Sequence, residues 1–385
     1  MAISIIWHRI LTFSAVCGVL LLAGSCVYDR LGMCPEGSAE DVCVTFRIAT
    51  QNTVGTKADN IAGQETGTAA ENWLELDKLR FLMFTEGGAF LQDLSAIAET
   101  MSENTDIWNL YTVKATFKEP YFNNPLFVDG NVRFKLMVLA NWPAEAVEEI
   151  MAAKGSVSEI ERAHAVFEMS PEFFPETGKT GIPMFGLMDC AVSWSALAAS
   201  DTGNYVDIGD VYMLRSLAKI EVLDNIADKD AAGYPKVSEV RLMKWNSVAR
   251  MIPDNFRNGV QVSAASYPDA PGFVDSAQGR MFKWKEYSTE SLGAPYEFKG
   301  FTTYIPEIRT ERLAFRVVIQ QSAAEGDAVS HDLAVPGTGN AWGAEILRNH
   351  IYRINVNATA EISLDYTVCP WDEANRITIP PYPEN

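Results

Sequence analysis

Alternation of apolar and polar residues with a period of two is the strongest pattern in this chain. In the segment VCVTFRIA, residues 42–49, Val42, Val44, Phe46 and Ile48 share one face, and the residues between them share the other. Side chains of a β-strand point alternately to its two faces, so this pattern predicts a strand with one buried face. The same pattern occurs in VRFKLMVLA (132–140), ERLAFRVVIQ (311–320), IYRINVNA (351–358) and EISLDYTVC (361–369).

The remaining patterns favour short strands joined by turns. The segment LDKLRFLMFTEGGAFLQ (76–92) predicts two strands around Gly87 and Gly88, because glycine adopts positive φ without steric strain. One clear helical pattern begins at Pro143, and Gly155 interrupts it. Two stretches rich in polar residues, Gly and Pro, 52–70 and 266–279, are predicted to be loops. We therefore expect an all-β fold of antiparallel β-sandwiches, with a short helical insertion in the N-terminal half.

The start of the chain has the build of a secretory leader. Arg9 precedes the apolar run Ile10–Leu22, which is shorter than the roughly 20 residues needed to cross a bilayer as a helix. The run ends at Leu22-Ala23-Gly24-Ser25-Cys26, which resembles the cleavage box of bacterial lipoproteins. We predict a signal peptide over 1–25 and a lipid on Cys26; the alternatives are a plain leader or a single-span anchor. The acyl chains of such a lipid would hold the protein on a membrane.

Length and charge limit the remaining possibilities. The 385 residues carry a net charge of −19, so electrostatics does not favour binding to nucleic acid. The length after the leader suits two domains. We place the boundary where a polar stretch gives way to a new strand, which gives an N-terminal domain over 26–212 and a C-terminal domain over 213–385. Four cysteines beyond Cys26 allow three disulfide pairings, and their spacing does not choose among them: Cys34, Cys43, Cys190 and Cys369.

The chain carries no recognisable catalytic, cofactor or metal motif. The histidines that follow the leader, His164, His331 and His350, have no paired metal-ligand spacing, and we predict that His350 has a structural role. A nucleophile elbow, a phosphate loop and a dinucleotide fingerprint are all missing from the sequence. We therefore predict a protein that is not an enzyme and needs no cofactor or metal. Nine tryptophans leave carbohydrate binding open as an alternative, although packing beside strands and turns explains most of them.

Eight segments in order resemble the fimbrillin-type subunits of the type V pili of Bacteroidales, including the lipid-anchored minor and anchor subunits. They are CVYDRLGMCP (26–35), LDKLRFLMFTEGGAFL (76–91), VRFKLMVLANWP (132–143), IPMFG (182–186), LRSLAKIEV (214–222), FTTYIPE (301–307), LRNHIYRINV (347–356) and TVCPWDE (367–373). The resemblance implies two tandem transthyretin-like β-sandwich domains. It also implies an outer-membrane lipoprotein at the cell surface or in a fimbrium, with a role in adhesion. The partners that it implies are other fimbrial subunits and receptors on host or bacterial surfaces.

The resemblance further implies assembly by exchange of a β-strand. In the stem subunits of this family a trypsin-like protease removes the first strand, and an extended segment of a neighbour fills the groove. Here the matching cut follows Arg47, within the strand 42–49; a cut after Arg30 would release the lipid and leave the strand. The tail carries Ile377 and Ile379 in alternation before several prolines, which suits either a donor strand or a terminus docked on its own domain. The segment 26–35 favours an anchor or accessory subunit, whereas Arg47 and the tail favour a polymerising one. The main alternative is a glycan-binding surface lipoprotein of a polysaccharide-uptake system.

Overall fold

A computed structural model gives the fold of the chain. It describes residues 41–49, 67–100, 110–118, 127–128, 130–153, 166–170, 172–251, 272–291, 294–335, 345–357 and 364–370. In this part of the chain two α-helices occur, α1 (Ala144–Ala153) and α2 (Trp194–Ala198), with 3-10 turns at Leu76–Lys78 and Thr310–Arg312. All other regular structure in these residues is β-strand.

The strands divide between the two halves of the chain. The first half contains β1 (Asp41–Ala49), β2 (Arg80–Thr85), β3 (Phe90–Asp93), β4 (Ser95–Thr100), β5 (Leu110–Lys118), β6 (Phe127–Val128), β7 (Asn131–Ala140), β8 (Val166–Glu168), β9 (Met184–Ser193), β10 (Val206–Tyr212) and β11 (Leu214–Arg215). The second half contains β12 (Ala218–Asp224), β13 (Lys236–Asn246), β14 (Val248–Arg250), β15 (Phe273–Met281), β16 (Lys283–Ser291), β17 (Ala294–Ile305), β18 (Ile308–Arg309), β19 (Ala314–Gln320), β20 (Ala328–Ala334), β21 (Glu345–Ile346), β22 (His350–Val356) and β23 (Leu364–Pro370).

Two sheets of the first half pack face to face. One has the strand order β10-β1-β5-β4, and the other has the order β11-β9-β7-β2-β3, with β6 paired to β7. The ring of Phe46 on β1 meets the ring of Phe81 on β2 edge to face, with centroids 5.5 Å apart. Burial of apolar side chains on both inner faces stabilises this sandwich.

The second sheet of this sandwich is also covered on its outer face. Met137 and Leu139 of β7 point away from the first sheet and pack with Trp142, Val147 and Ile150, which belong to α1 and the residues before it. Alternation in VRFKLMVLA predicts one buried face, yet every residue from Leu136 to Ala140 is buried. That prediction is corrected here, because α1 covers the face that the alternation assigns to solvent.

Two further sheets pack face to face in the second half. Their strand orders are β16-β17-β12-β22-β23 and β15-β13-β19-β20. Ile220, Val222, Leu242, Val317 and Ile354 belong to the single apolar core between them. The fold is thus all-β and built from β-sandwiches, as the sequence predicts.

One sheet of each half has the same connectivity around its earliest strand. In the first half β1 runs parallel to β10 and antiparallel to β5. In the second half β12 runs parallel to β22 and antiparallel to β17. The sequence predicted antiparallel sheets, so these two parallel pairs are a correction. In both cases the earliest strand of the sheet lies in its interior, between partners that follow it in the chain.

Most of the predicted elements are present. The turn between β2 and β3 contains Gly88 at φ 87°, as the double glycine predicts. The loop predicted over 266–279 is wrong in part, because residues 273–279 belong to β15. Their polar composition hides the strand, which is stabilised by backbone pairing with β13. Of the loop predicted over 52–70, residues 52–66 lie outside the described residues.

Candidate functional site

The first strand, β1, is paired along both of its edges. All nine of its residues pair with β5, from Asp41 opposite Lys118 to Ala49 opposite Leu110. Its other edge pairs with β10 from Val44 to Ala49. Cys43 comes just before the part of β1 that pairs with β10, and its backbone N–H donates to Ser200 Oγ at 2.9 Å. A strand paired on both edges separates from its sheet only after two rows of hydrogen bonds have broken.

The inner face of β1 contributes a continuous apolar row to the sandwich core. The side chains of Val42, Val44, Phe46 and Ile48 are all 0% exposed. Burying a side chain of this size stabilises the folded chain by about 1.5–3 kcal/mol. The row is therefore comparable in effect to the whole stability of an ordinary domain, about 5–15 kcal/mol. The slot that β1 fills between β5 and β10 needs an apolar strand of this kind.

Arg47 projects from the outer face of β1 and binds two carboxylates of β10. Its Nη1 lies 2.8 Å from Asp207 Oδ2, and its Nε donates to Asp210 Oδ1. Partial burial lowers the pKa of Arg47, but hydrogen bonds and charge from Asp207 and Asp210 outweigh it and raise the pKa above its usual value. The guanidinium thus ties β1 to β10 by side chains as well as by backbone.

A bulge in β10 places both aspartates on the face of Arg47. Thr45 is opposite Asp207 and Arg47 is opposite Asp210. An advance of two residues along β1 therefore corresponds to an advance of three residues along β10. In a regular strand, residues three apart point to opposite faces. Gly209 absorbs the extra residue with φ 106°, a conformation that favours glycine, and its N–H donates to Asp207 Oδ1 at 2.9 Å. The sequence did not predict this arrangement, because the aspartate–glycine spacing of DIGD (207–210) is its only local signal.

The other predicted site residues cannot be placed relative to β1. Cys26 and Arg30 lie outside the described residues, and so do Ile377 and Ile379. Lipidation, the alternative cut and strand donation therefore remain predictions.

Three of the four cysteines beyond Cys26 lie in the described residues. Cys43 and Cys190 are buried and do not form disulfides, Cys369 lies on β23, and Cys34 lies outside the described residues. Burial and the charge of Asp189 raise the pKa of the Cys190 thiol, so this thiol is not an activated nucleophile.

Two of the three histidines that follow the leader lie in the described residues. His350 Nδ1 lies 2.8 Å from the carbonyl oxygen of Arg348, as a structural histidine should, and His331 lies on β20. No group of three His, Cys, Asp or Glu side chains in the described ranges is placed to hold a metal ion. The helices in these ranges are also too short or too polar to span a bilayer.

Exposed aromatic rings in the described residues do not form one flat surface. Trp284 on β16 is 44% exposed and Phe273 on β15 is 41% exposed, but these strands belong to different sheets. Trp284 also packs edge to face on Phe301, with centroids 4.9 Å apart. Stacking of a sugar chain on a row of coplanar rings, which the glycan-binding alternative requires, has no support in this pair.

Comparisons with known proteins give fold likenesses of low identity. No family model and no curated protein matches the sequence. A fimbrial assembly protein from Parabacteroides distasonis is 11% identical with a TM-score of 0.41, covering 85% of this chain and 95% of that one. A protein from Bacteroides eggerthii, provisionally assigned to cell adhesion, is 12% identical with a TM-score of 0.44, covering 87% and 98%. A protein from Bacteroides thetaiotaomicron, provisionally assigned to polysaccharide binding, is 11% identical with a TM-score of 0.33, covering 86% and 97%.

Proposed function

We propose that this chain is a structural, non-enzymatic subunit of a surface fimbrium that supports adhesion, held on the outer membrane by a lipid on Cys26. The observation that carries the proposal is the placement of β1. This strand lies inside its sheet, fills an apolar slot, and is bound to β10 through Arg47. In the family that this sequence resembles, the corresponding strand is exchanged between subunits.

Strand exchange follows from the physics of such a slot. Loss of β1 would expose the facing edges of β5 and β10, and would remove four fully buried side chains from the core. Unpaired strand edges and an empty apolar groove readily accept an extended segment from another chain. A subunit without β1 is thus a receptor for a donor strand, and a subunit that retains β1 has its slot filled.

The environment of Arg47 supports an anchor or accessory role, in which β1 is retained. A protease must bind several residues around its target as an extended, unpaired segment. The backbone around Arg47 is paired with β5 and β10, and its side chain is held by Asp207 and Asp210. Cleavage at Arg47 therefore requires local opening of the sheet. We infer that the mature protein keeps β1 attached to the lipid-bearing Cys26.

The tail supplies the contact with the next subunit in this proposal. Because β1 already fills the groove of this chain, the chain contributes a donor strand to a neighbour and does not receive one. Ile377 and Ile379 have the alternation that fits an apolar groove.

The division of the mature chain near residue 213 also belongs to the proposal. The four large sheets support it, because β11 ends at Arg215 in the first sandwich and β12 begins the second at Ala218. One small sheet crosses the division, since β8 of the first half pairs with β14 of the second.

Cross-linking in cells tests the donor role. A photoreactive residue replaces Ile379, and the matched control places it at Thr378, whose side chain would face the opposite way in a strand. We expect Ile379 to link to another fimbrial subunit, with the linked peptide coming from the groove beside its first strand. Links only within the chain, or equal links from both positions, would refute strand donation.

A further inference from the structure

The first sheet of the first half begins and ends on neighbouring parallel strands. Its earliest strand, β1, pairs with its latest strand, β10, from Val44 opposite Val206 to Ala49 opposite Tyr212. Because the two strands are parallel, β1 begins at one end of the sheet and β10 ends at the other. The chain therefore enters this sheet at Asp41 and leaves it at Tyr212, at opposite ends of one strand pair.

Tension along the chain loads this strand pair in shear. A pull on Asp41 and an opposite pull on Tyr212 slide β1 and β10 past each other along their length. The hydrogen bonds between the two strands then resist together, and so do the bonds of the nine residue pairs between β1 and β5. A pull that lifts one end of a strand breaks the same bonds one after another, which requires less force.

Side chains add to the resistance of β1 to sliding. Arg47 Nη1 lies 2.8 Å from Asp207 Oδ2, and its Nε donates to Asp210 Oδ1. Both contacts cross from β1 to β10, so sliding must break them. Phe46 and the other inward side chains of β1 are fully buried. A shift of β1 by one residue would turn this apolar row away from the core.

The last described strand of the second half has the opposite geometry. In its sheet β12 runs parallel to β22, with Lys219 opposite Ile351 near the start of both strands. The strand β23 is antiparallel to β22 and ends with Pro370 opposite His350. The chain thus enters and leaves this sheet at the same end. Tension from the tail would peel β23, an outermost strand, from β22 one residue pair at a time.

We propose that the first half is a load-bearing clamp, which keeps β1 in place when a pull on the C-terminal tail is opposed by a lipid on Cys26. The inference rests on the proposed function for the source of the tension. A subunit that retains its first strand under load needs that strand to resist extraction along the chain. The parallel pairing with β10 supplies this resistance, whereas β23 yields to the same pull.

Force spectroscopy of the full chain, with two pairs of attachment points, tests the proposal. The attachment residue is p-azidophenylalanine, which avoids the native cysteines. One variant carries it in place of Asp41 and Tyr212, so that the force shears β1 from β10. The matched variant carries it in place of Asp41 and Lys118, which are paired at one end of β1 and β5, so that the same strand is peeled.

Two further measurements complete the design. Thermal unfolding of each variant confirms that it folds. A variant with attachment points at Asp41 and Asn385 also shears β1 from β10, since tension from the C-terminus leaves the first sheet through β10, and it replaces the Tyr212 variant if that one does not fold. Because the measurement uses the purified protein, its result is independent of the lipid and of strand donation.

We expect the sheared variant to unfold at a force about twofold higher or more than the peeled variant, because forced unfolding reports the barrier along the direction of pulling. Asp207→Asn with Asp210→Asn should lower the shearing force. The same change should leave the peeling force nearly unchanged, because peeling begins at Asp41, before Arg47 is reached. Asp332→Asn, on β20 of the other half, is the control and should change neither force.

Two results would overturn the proposal. One is a shearing force equal to or lower than the peeling force. The other is a loss of shearing force in the Asp332 control as large as the loss in the Asp207/Asp210 variant, which would mean that the ties between β1 and β10 carry no load of their own.

Discussion

Lys219 of β12 and Glu71 of the segment before β2 form a buried ion pair, with Nζ 2.8 Å from Oε1 and both side chains 1% exposed. Lys219 also lies 2.8 Å from Glu221 Oε1, and Glu221 in turn accepts a hydrogen bond from Arg353 at 2.7 Å. The hydroxyl of Tyr304 donates to Glu71. These contacts join the first half of the chain to the outer face of a sheet of the second half.

Substitution of Lys219 should therefore strongly destabilise the fold. Lys219→Met leaves Glu71 and Glu221 buried with one cation fewer, and we expect the free energy of unfolding in urea to fall by about 3–5 kcal/mol. Lys179→Met is the control, because Lys179 and its partner Glu176 are both exposed. The control should leave stability nearly unchanged. Equal small effects would show that the buried network contributes little.

Glu71 should make the fold sensitive to acid. Burial raises its pKa, but the charge of Lys219 and hydrogen bonds from Lys219 and Tyr304 outweigh burial and lower the pKa below 4.5. Because the pKa is lower in the folded chain, this stabilisation is present above about pH 4.5 and is lost as the pH falls through the folded value.

The measurement for Glu71 is urea unfolding between about pH 3 and pH 7. Glu71→Gln should be less stable than the wild type at neutral pH and should lose less stability on acidification. A variant with the same slope as the wild type would mean that Glu71 is not responsible.

How much of the fold and of the side-chain contacts the sequence could predict depends on how far apart the interacting residues lie in the chain. Alternation located β1, β7, β19, β22 and β23, because each strand carries its own pattern. In LRSLAKIEV the same alternation assigns Lys219 to solvent, yet Lys219 is covered by Glu71, 148 positions earlier in the chain. The pairing of Arg47 with Asp207 and Asp210 also joins distant positions, so neither network has a local signal.

Two of the eight segments that resemble the fimbrillin-type subunits, 132–143 and 182–186, contact each other. The contact explains the residues Asn141 and Trp142 at the end of the first segment. Asn141 has φ 61°, and its Nδ2 donates to the carbonyl oxygens of Trp73 and Ile182, each at 2.8 Å. Its Oδ1 accepts from the backbone N–H of Glu75 at 2.8 Å. The next residue, Trp142, donates from Nε1 to the carbonyl oxygen of Met184 at 2.7 Å. The segment ending at Asn141-Trp142-Pro143 is thus bound to the segment IPMFG.

Asn141→Ala should lower the free energy of unfolding by about 2–4 kcal/mol, because it leaves buried backbone groups unsatisfied and adds strain at positive φ. Asn141→Gly separates the two causes, since glycine keeps the backbone conformation but makes no side-chain hydrogen bonds. We expect the glycine variant to be intermediate in urea unfolding. A glycine variant as stable as the wild type would mean that the hydrogen bonds contribute nothing.

The two aspartates around Arg47 should slow proteolysis at that residue. Asp207→Asn with Asp210→Asn weakens the attachment of β1 to β10, so we expect cleavage after Arg47 by trypsin to become a few-fold faster, up to about tenfold. Asp332→Asn, which disrupts a similar exposed pair with Arg316, is the matched control and should have no effect on cleavage after Arg47. Rapid cleavage of the wild type at Arg47 would show that β1 is not protected.

Mass spectrometry of the mature protein from cell envelopes tests whether this subunit retains its first strand and its lipid. We expect an acylated Cys26 on a chain that still contains Asp41–Ala49. An N-terminus at Ile48 would contradict it, because the chain would then be a polymerising subunit with an empty slot. An unmodified chain that begins elsewhere would contradict the lipid anchor itself.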